Sequence, residues 1–285
     1  MINTALTLFL SIQEDMMKKI YFILMLLLPL TMCSKAPEGQ KVLIETSMGN
    51  IKVVLYDDTP LHSHNFAQLV EEGYYDGLNF HRVIQGFMIQ AGKTRLEKDS
   101  ILNEELMIAP EVNTAKHIHK AGALAAARWP DEENPKKMSD KHQFYIVTGK
   151  AIWTADFQSF KEERMEDLKY KIFKDLPIDE AIKDSIKHQY YTDGFVEWNR
   201  FPTEISSVID QESEKRKGEI LEYTQAQKDT YLEVGGTPHL DGDFTVFGEV
   251  YEGLEIVKKI EKIETTPNDA PIKPVIIKNI TLIKE

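Results

Sequence analysis

The chain has 285 residues, of which 42% are apolar and 28% are charged, and this composition is typical of a folded protein rather than a disordered one. The length accommodates one large domain, or one domain with an added segment. A formal net charge of -12 at pH 7 disfavours nucleic acid as a partner, because binding to phosphates requires a concentration of Lys and Arg.

An export signal is predicted near the amino terminus. Lys18 and Lys19 precede an apolar run over residues 20–30, and small and polar residues follow it. The run is shorter than the ~20 residues that a transmembrane helix needs, so it is typical of a signal-peptide core. We therefore expect residues 1–33 to be a signal peptide, within which residues 1–15 are dispensable.

Cys33 is the single cysteine of the chain, which excludes an intrachain disulfide. Its position after the apolar run resembles the lipidation site of a bacterial lipoprotein, although Met32 departs from the small residue that usually precedes the cysteine. Two outcomes stay open: a lipid that anchors the protein to a membrane, or a free thiol left in a precursor. With the lipid, residues 34–40 would be a tether, and the protein would lie on the periplasmic side or at the cell surface.

The first predicted elements after the tether are a hairpin and a helix. Residues 41–46 and 51–56 are β-rich runs around a turn at 47–50. Asp58 or Thr59 can cap the following helix, Pro60 suits its first turn, and Gly73 is placed to end it.

Residues 79–84 and 87–91 are strand-like runs of aromatic and β-branched residues around Gln85-Gly86, which predicts a second hairpin. Residue types alone favour ordinary core strands here. The hairpin would bring four side chains close together: Arg82, Phe87, Met88 and Gln90.

Further strands are predicted at 122–127, 144–148, 244–250 and 275–283, with a short helix at about 254–262. Residues 151–234 differ in character, because charged residues dominate and apolar ones recur at near-helical intervals. This segment has 19 acidic and 12 basic residues, so it contributes -7 to the net charge. We expect two or three helices with breaks near Pro177 and Gly194, the last running from about residue 202 to 231.

The order of residues 80–92, Phe-His-Arg-Val-Ile-Gln-Gly-Phe-Met-Ile-Gln-Ala-Gly, resembles the signature of the cyclophilins. Residues 143–146, Gln-Phe-Tyr-Ile, are similar to the family's Gln-Phe-Phe-Ile, and residues 239–248 resemble its closing motif, Trp-Leu-Asp-Gly-x-His-Val-Val-Phe-Gly. The resemblance implies a mainly β fold, an eight-stranded antiparallel closed barrel capped by two helices. It covers residues 41–150 and 235–285, so residues 151–234 would be a helical insertion.

The same resemblance implies a site for peptidyl-prolyl cis-trans isomerisation. Arg82 and Gln90 would be catalytic. The implied substrate-binding residues are Phe87, Met88, Ala127, Arg128, Gln143, Tyr145, His239, Leu240 and Phe244. Four of these depart from the family pattern: Arg128 replaces Asn, Tyr145 replaces Phe, His239 replaces Trp and Phe244 replaces His.

The implied activity is rotation about X-Pro bonds in proline-containing segments of exported proteins, by a monomer that needs no cofactor or metal. The main alternative is a peptide-binding chaperone or docking module with little turnover. A third reading makes the acidic helical segment an interaction arm.

His117 and His119 could face one side of a strand, but without a third ligand we expect ordinary histidines rather than a zinc site.

Overall fold

The structure, a computed structural model, describes residues 38–92, 104–192 and 195–284. The expected signal peptide and Cys33 lie outside these residues. Within the described ranges, no helix is both long enough and apolar enough to span a membrane.

An antiparallel sheet of eight strands dominates the described part of the chain, which confirms the mainly β prediction. The strands of this sheet are β1 (Lys41–Thr46), β2 (Gly49–Leu55), β3 (Phe80–Ile84), β4 (Met88–Ala91), β6 (Ala123–Ala126), β8 (Phe144–Val147), β11 (Val246–Glu252) and β12 (Ile277–Ile283). Their order in the sheet is β12-β1-β2-β11-β6-β8-β4-β3. Two small pairs accompany it: β5 (Met107–Ile108) with β7 (Ser139–Asp140), and β9 (Tyr191–Thr192) with β10 (Phe195–Val196).

The prediction of a closed barrel is wrong. The edge strands β3 and β12 are joined by one isolated bridge, Asn79 to Ile276, and a few backbone hydrogen bonds between residues 77–80 and 275–277. Closure requires a continuous, correctly staggered ladder. Here β12 pairs along its length with β1, and β3 pairs with β4, so the sheet curls but does not close into a barrel.

Two helices cover one face of the sheet and form the main core. They are α1 (Pro60–Glu71) and α6 (Leu254–Ile260), close to the predicted positions. Phe66 from α1 and Val257 from α6 pack with Ile44, Ile89 and Ile146 from the strands, and all are buried. Such a cluster, in which large side chains are almost completely removed from water, is the principal source of stability in a domain of this kind.

Residues 151–192 and 195–234 contain four α-helices: α2 (Asp156–Asp175), α3 (Glu180–Tyr190), α4 (Thr203–Arg216) and α5 (Gln225–Val234). They have a hydrophobic cluster of their own, which includes Ile172, Phe173 and Ile209. The expected single helix over 202–231 is wrong. Lys217–Glu219 is a 3-10 turn, and a capping box of Thr224 and Gln227 begins a new helix.

A distant carboxylate, rather than the predicted caps, satisfies the amino terminus of α1. Thr59 occupies the N-cap position, but its side chain makes no capping hydrogen bond. Instead, the carboxylate of Glu111 accepts hydrogen bonds from the backbone N–H groups of Leu61 and His62, both at 3.0 Å. A negative charge at this end also complements the helix dipole.

The buried imidazole of His62 predicts a loss of stability in mild acid. Its Nδ1 lies 2.7 Å from Glu111 and its Nε2 lies 2.9 Å from the Ser139 hydroxyl, contacts that one neutral tautomer satisfies. Burial lowers the pKa of His62 below its ordinary value of 6.5. The unfolded chain therefore binds this proton more readily, so the contribution of His62 is complete above pH 6.5 and is lost as the pH falls below it.

We expect the free energy of unfolding in urea to fall between about pH 7.5 and 5.5, by at most about 1.4 kcal/mol per pH unit for this one proton. The variant His62→Gln should reduce that slope, whereas His64→Gln, at an exposed position of the same helix, should leave it unchanged. Equal slopes in all three proteins would contradict the assignment.

Candidate active site

Alternate residues of the central strands face two different environments. On β8, Phe144 and Ile146 point into the core beneath the helices, whereas Tyr145 and Val147 point to the other face. On β4, Ile89 lies in the core and Met88 on the opposite face. This period of two follows from strand geometry, and it leaves one face of the sheet free to carry a site.

A row of paired residues crosses this second face from the sheet edge to its centre. Arg82 on β3 is opposite Gln90 on β4, Gln90 is opposite Tyr145 on β8, and Tyr145 is opposite Ala125 on β6. Directly opposite residues in antiparallel strands project to the same face. The register therefore places a guanidinium, an amide and an aromatic ring along one line.

The apolar residues expected to hold a proline ring form one cluster on this face. Buried Met88, Tyr145 and Leu240 pack together, and Phe87, Ala127 and Phe244 are partly buried against them. The ring centroids of Tyr145 and Phe244 are 6.2 Å apart with the planes nearly perpendicular. This aromatic and aliphatic surface is suited to a pyrrolidine ring.

The two predicted catalytic side chains stand beside this cluster, each with a different partner. Gln90 donates a hydrogen bond through Nε2 to Oε1 of Gln143 at 2.9 Å, which joins two predicted site residues. Arg82 is exposed, and its Nε lies 3.4 Å from Oδ2 of Asp269. Among the described residues, none forms a hydrogen bond or an ion pair with the terminal nitrogens of Arg82.

Arg128, which stands where the family pattern has Asn, has hydrogen-bond and ion-pair partners for its guanidinium. Its Nε donates to the carbonyl of Asp243 at 2.7 Å, and its Nη1 pairs with Asp131 at 2.7 Å. The guanidinium lies 4.4 Å from the ring centroid of Phe244. Arg128 thus secures the loop before β11, and the backbone groups of neighbouring Ala127 bond to Gln143 and residue 140.

His239 stands where the family motif has Trp, and it extends the pocket wall. Its ring stacks on Phe87 with centroids 5.5 Å apart. Although the side chain is exposed, partial burial lowers the pKa of His239 below its ordinary value. A cleft of about 250 Å³ adjoins it, lined by residues that include Lys150, Phe160, Glu163 and Pro238.

A buried carboxylate lies directly behind the pocket wall. Asp241 is 1% exposed, and its Oδ1 accepts hydrogen bonds from the backbone N–H of His119 at 2.8 Å and from Nδ1 of His119 at 2.7 Å. Because Nδ1 donates, Nε2 accepts, and its partner at 3.0 Å is the hydroxyl of Tyr145. The hydroxyl of Tyr145, which the Phe of the family motif lacks, therefore completes a chain of hydrogen bonds from Asp241 through His119 to the pocket.

The helical segment supplies three further partners of Asp241 among the described residues. Tyr231 donates to Oδ2 at 2.5 Å, and Tyr223 donates to the same atom at 2.9 Å. Arg164 on α2 donates to the carbonyl of Asp241 at 2.8 Å. Burial, followed by the charge of Asp241, raises the pKa of both tyrosines, so both remain protonated donors.

Sequence reasoning did not identify this buried group, which we call the Asp241 cluster: His119, Tyr145, Tyr223, Tyr231 and Asp241. The Tyr at position 145 was the one available signal, since a buried hydroxyl needs a partner. His117 and His119 bind different carboxylates, because Nε2 of His117 pairs with Asp58.

Removal of the Tyr145 hydroxyl is expected to affect stability more than it affects the pocket. In Tyr145→Phe, Nε2 of His119 loses its donor in a fully buried position, which costs about 1 to 3 kcal/mol. The ring remains as the pocket wall. Urea denaturation should therefore show the loss, while peptide turnover stays within a few-fold of the wild type; turnover reduced as strongly as in a catalytic variant would contradict this assignment.

Comparison with known proteins agrees with the geometry. The family model described as "Cyclophilin type peptidyl-prolyl cis-trans isomerase/CLD" matches residues 41–173 and 213–282. A Streptococcus pyogenes protein whose name joins a phosphatase with a peptidyl-prolyl cis-trans isomerase is 29% identical over 249 residues, which are 85% of this chain and 38% of that longer protein. A Staphylococcus aureus protein named for the same isomerase activity is 26% identical over 244 residues, covering 84% of this chain and 90% of its own length.

A crystal structure of a Cryptosporidium parvum cyclophilin type peptidyl-prolyl cis-trans isomerase covers 87% of this chain and 99% of its own, with 17% identity and a TM-score of 0.49. The family model alone accounts for well over half of the present residues. The chain therefore belongs to the cyclophilin-type peptidyl-prolyl cis-trans isomerases.

Proposed function

We propose that this protein accelerates rotation about X-Pro bonds in exported proteins as they fold, and that it is anchored to a membrane through a lipid on Cys33. The cross-strand row of Arg82, Gln90 and Tyr145 beside the apolar pocket is the observation that carries the enzymatic part. It combines a hydrogen-bond donor with a surface that fits a proline ring.

The obstacle to the reaction is amide resonance. The two isomers of an X-Pro bond differ by only about 0.5 to 1 kcal/mol, but the rotation barrier is ~18 to 20 kcal/mol. Rotation removes the partial double bond and makes the prolyl nitrogen a better hydrogen-bond acceptor. A donor aimed at that nitrogen stabilises the twisted state more than either planar state, which is catalysis by differential binding.

Each side chain has a part in this scheme. A terminal nitrogen of Arg82 donates to the prolyl nitrogen, and the Gln90 amide holds a substrate carbonyl. Phe87, Met88 and Leu240 grip the ring so that the preceding residue turns against it. Lowering the barrier by about 7 kcal/mol would accelerate rotation about 10⁵-fold, and a charged hydrogen bond together with ordered binding can supply energies of this size.

A prolyl-peptide isomerisation assay on residues 38–285 tests the proposal. We expect turnover by the wild type and its loss in Arg82→Ala. The alternative of a peptide-binding chaperone or docking module predicts peptide binding without turnover in the wild type. That result would overturn the enzymatic proposal. Turnover that depends on Arg82 would instead contradict the alternative, because binding a peptide without isomerising it does not require the guanidinium.

Location and architecture are separate proposals. Mass spectrometry of the membrane fraction should detect a lipid on an amino-terminal Cys33, and in Cys33→Ala the protein should lose its membrane association; an unmodified thiol in the mature protein would refute the anchor. Residues 151–234 are proposed as an insertion in the scaffold. The break in the family match between residues 173 and 213 supports this for the middle of the segment, whereas the match includes residues 151–173 and 213–234.

A further inference from the structure

The loop between α6 and β12 carries a carboxylate to the edge of the site. Within it, the backbone N–H of Thr266 donates to the carbonyl of Ala270 at 2.8 Å, and that of Asp269 donates to Thr266 at 3.0 Å. Asp269 itself has a left-handed conformation with a φ of 62°. Asp and Asn tolerate this conformation better than most residues, which suits Asp269 to the tip of a tight turn.

This turn is attached to β3 at two consecutive residues. The backbone N–H of Val83 donates to the carbonyl of Asp269 at 2.8 Å. The side chain of Arg82 pairs through Nε with the carboxylate of the same residue at 3.4 Å. The backbone contact therefore sets the distance of the carboxylate from the guanidinium, independently of the ion pair.

The carboxylate of Asp269 contacts Nε of Arg82 rather than a terminal nitrogen, and this difference is important for the reaction. A guanidinium has five N–H groups in one plane. Engagement of Nε restricts the orientation of that plane and leaves the four N–H groups of the terminal nitrogens for substrate. Without such a contact, a long side chain at an exposed strand position would sample many rotamers, and ordering it costs up to ~2 kcal/mol.

We propose that Asp269 is the positioning residue of Arg82: it holds the guanidinium in the orientation from which the terminal nitrogens reach the prolyl nitrogen. This inference rests on the proposed function. The two side chains are 45% and 38% exposed, and ion pairs this exposed contribute little to folding. A positioning role thus predicts a change in turnover without a matching change in stability.

Asp269→Asn is the sharpest variant, because Asn also tolerates the left-handed conformation and keeps the backbone carbonyl that binds Val83. We expect kcat for a prolyl peptide to fall about 10-fold, with KM within twofold of the wild type, since misplacement of a catalytic group lowers the chemical step. The matched control is Glu264→Gln, which changes an exposed acid of the same loop and should leave kcat unchanged.

A double-mutant cycle separates positioning from a general effect of the loop. When Arg82 is already Ala, the Asp269→Asn substitution should have no further effect on kcat. An equal reduction in both backgrounds would overturn the proposal, as would wild-type or increased turnover in Asp269→Asn alone; increased turnover would mean that the carboxylate withdraws the guanidinium from substrate. Wild-type turnover in Arg82→Ala would instead refute the proposed function itself.

Discussion

Substitution of Arg82 by Ala should reduce kcat/KM for a prolyl peptide by about 10² to 10³-fold, the range observed when one transition-state hydrogen-bond donor is removed. The side chain is exposed and contributes to no hydrophobic cluster. The free energy of unfolding should therefore change by no more than about 0.5 kcal/mol. A large kinetic effect with an unchanged fold is the combination expected of a catalytic group.

Arg216→Ala is the matched control for this experiment. Arg216 is also paired with a carboxylate, that of Glu219, but it lies in α4, outside the site. Its substitution should leave kcat/KM at the wild-type value. If Arg82→Ala retains more than about half of the wild-type kcat/KM, the guanidinium does not act on the prolyl nitrogen.

Asp241→Asn should produce the largest loss of stability, about 3 kcal/mol or more. Its carboxylate accepts four hydrogen bonds in a buried position, from two groups of His119 and from the hydroxyls of Tyr223 and Tyr231. The amide of Asn carries no charge. Its NH₂ group is a donor, and it would face the N–H or O–H donors that hydrogen-bond to a carboxylate oxygen in the wild type. Hydrogen bonds to a charged group contribute about 1.5 to 3 kcal/mol each, although such contributions are not additive in a network.

Urea denaturation followed by fluorescence and by circular dichroism measures this loss. Asp229→Asn, at an exposed acid of α5, is the control and should change stability by less than about 0.5 kcal/mol. If Asp241→Asn does not fold, Tyr231→Phe offers a milder test, with an expected cost of about 1 to 2 kcal/mol. A loss below about 1 kcal/mol in Asp241→Asn, with Tyr231→Phe neutral, would contradict a stabilising role for the cluster.

The sequence predicted those features that depend on local pattern. Turn residues such as Gln85-Gly86 and the flanking runs of aromatic and β-branched residues placed the hairpins within one or two residues, because strand propensity and turn chemistry are local properties. The gathering of Met88, Tyr145 and Leu240 into one cluster required the family resemblance, since they come from distant parts of the chain.

Features that depend on the sum of many contacts were not predictable. Whether a sheet closes is decided by the stagger of all its strands, so a count of strands could not show that β3 and β12 remain edges. The hydrogen bond from Arg128 to the carbonyl of Asp243 could not be predicted, because the two residues are 115 positions apart and meet only when the chain folds. Asp269 gave no signal for the same reason, as it is 187 residues from Arg82.

The attachment of the helical segment to Asp241 has a consequence for how the molecule opens. Amide protons of β8 and of α5 should exchange with solvent in a single cooperative event, because separation of the helices from the sheet would leave the buried carboxylate of Asp241 without hydrogen-bond donors. The helical segment and the strand that carries Tyr145 would thus unfold as one cooperative unit. A version of the enzyme trimmed of residues 151–234 would lose its catalytic surface along with its helices.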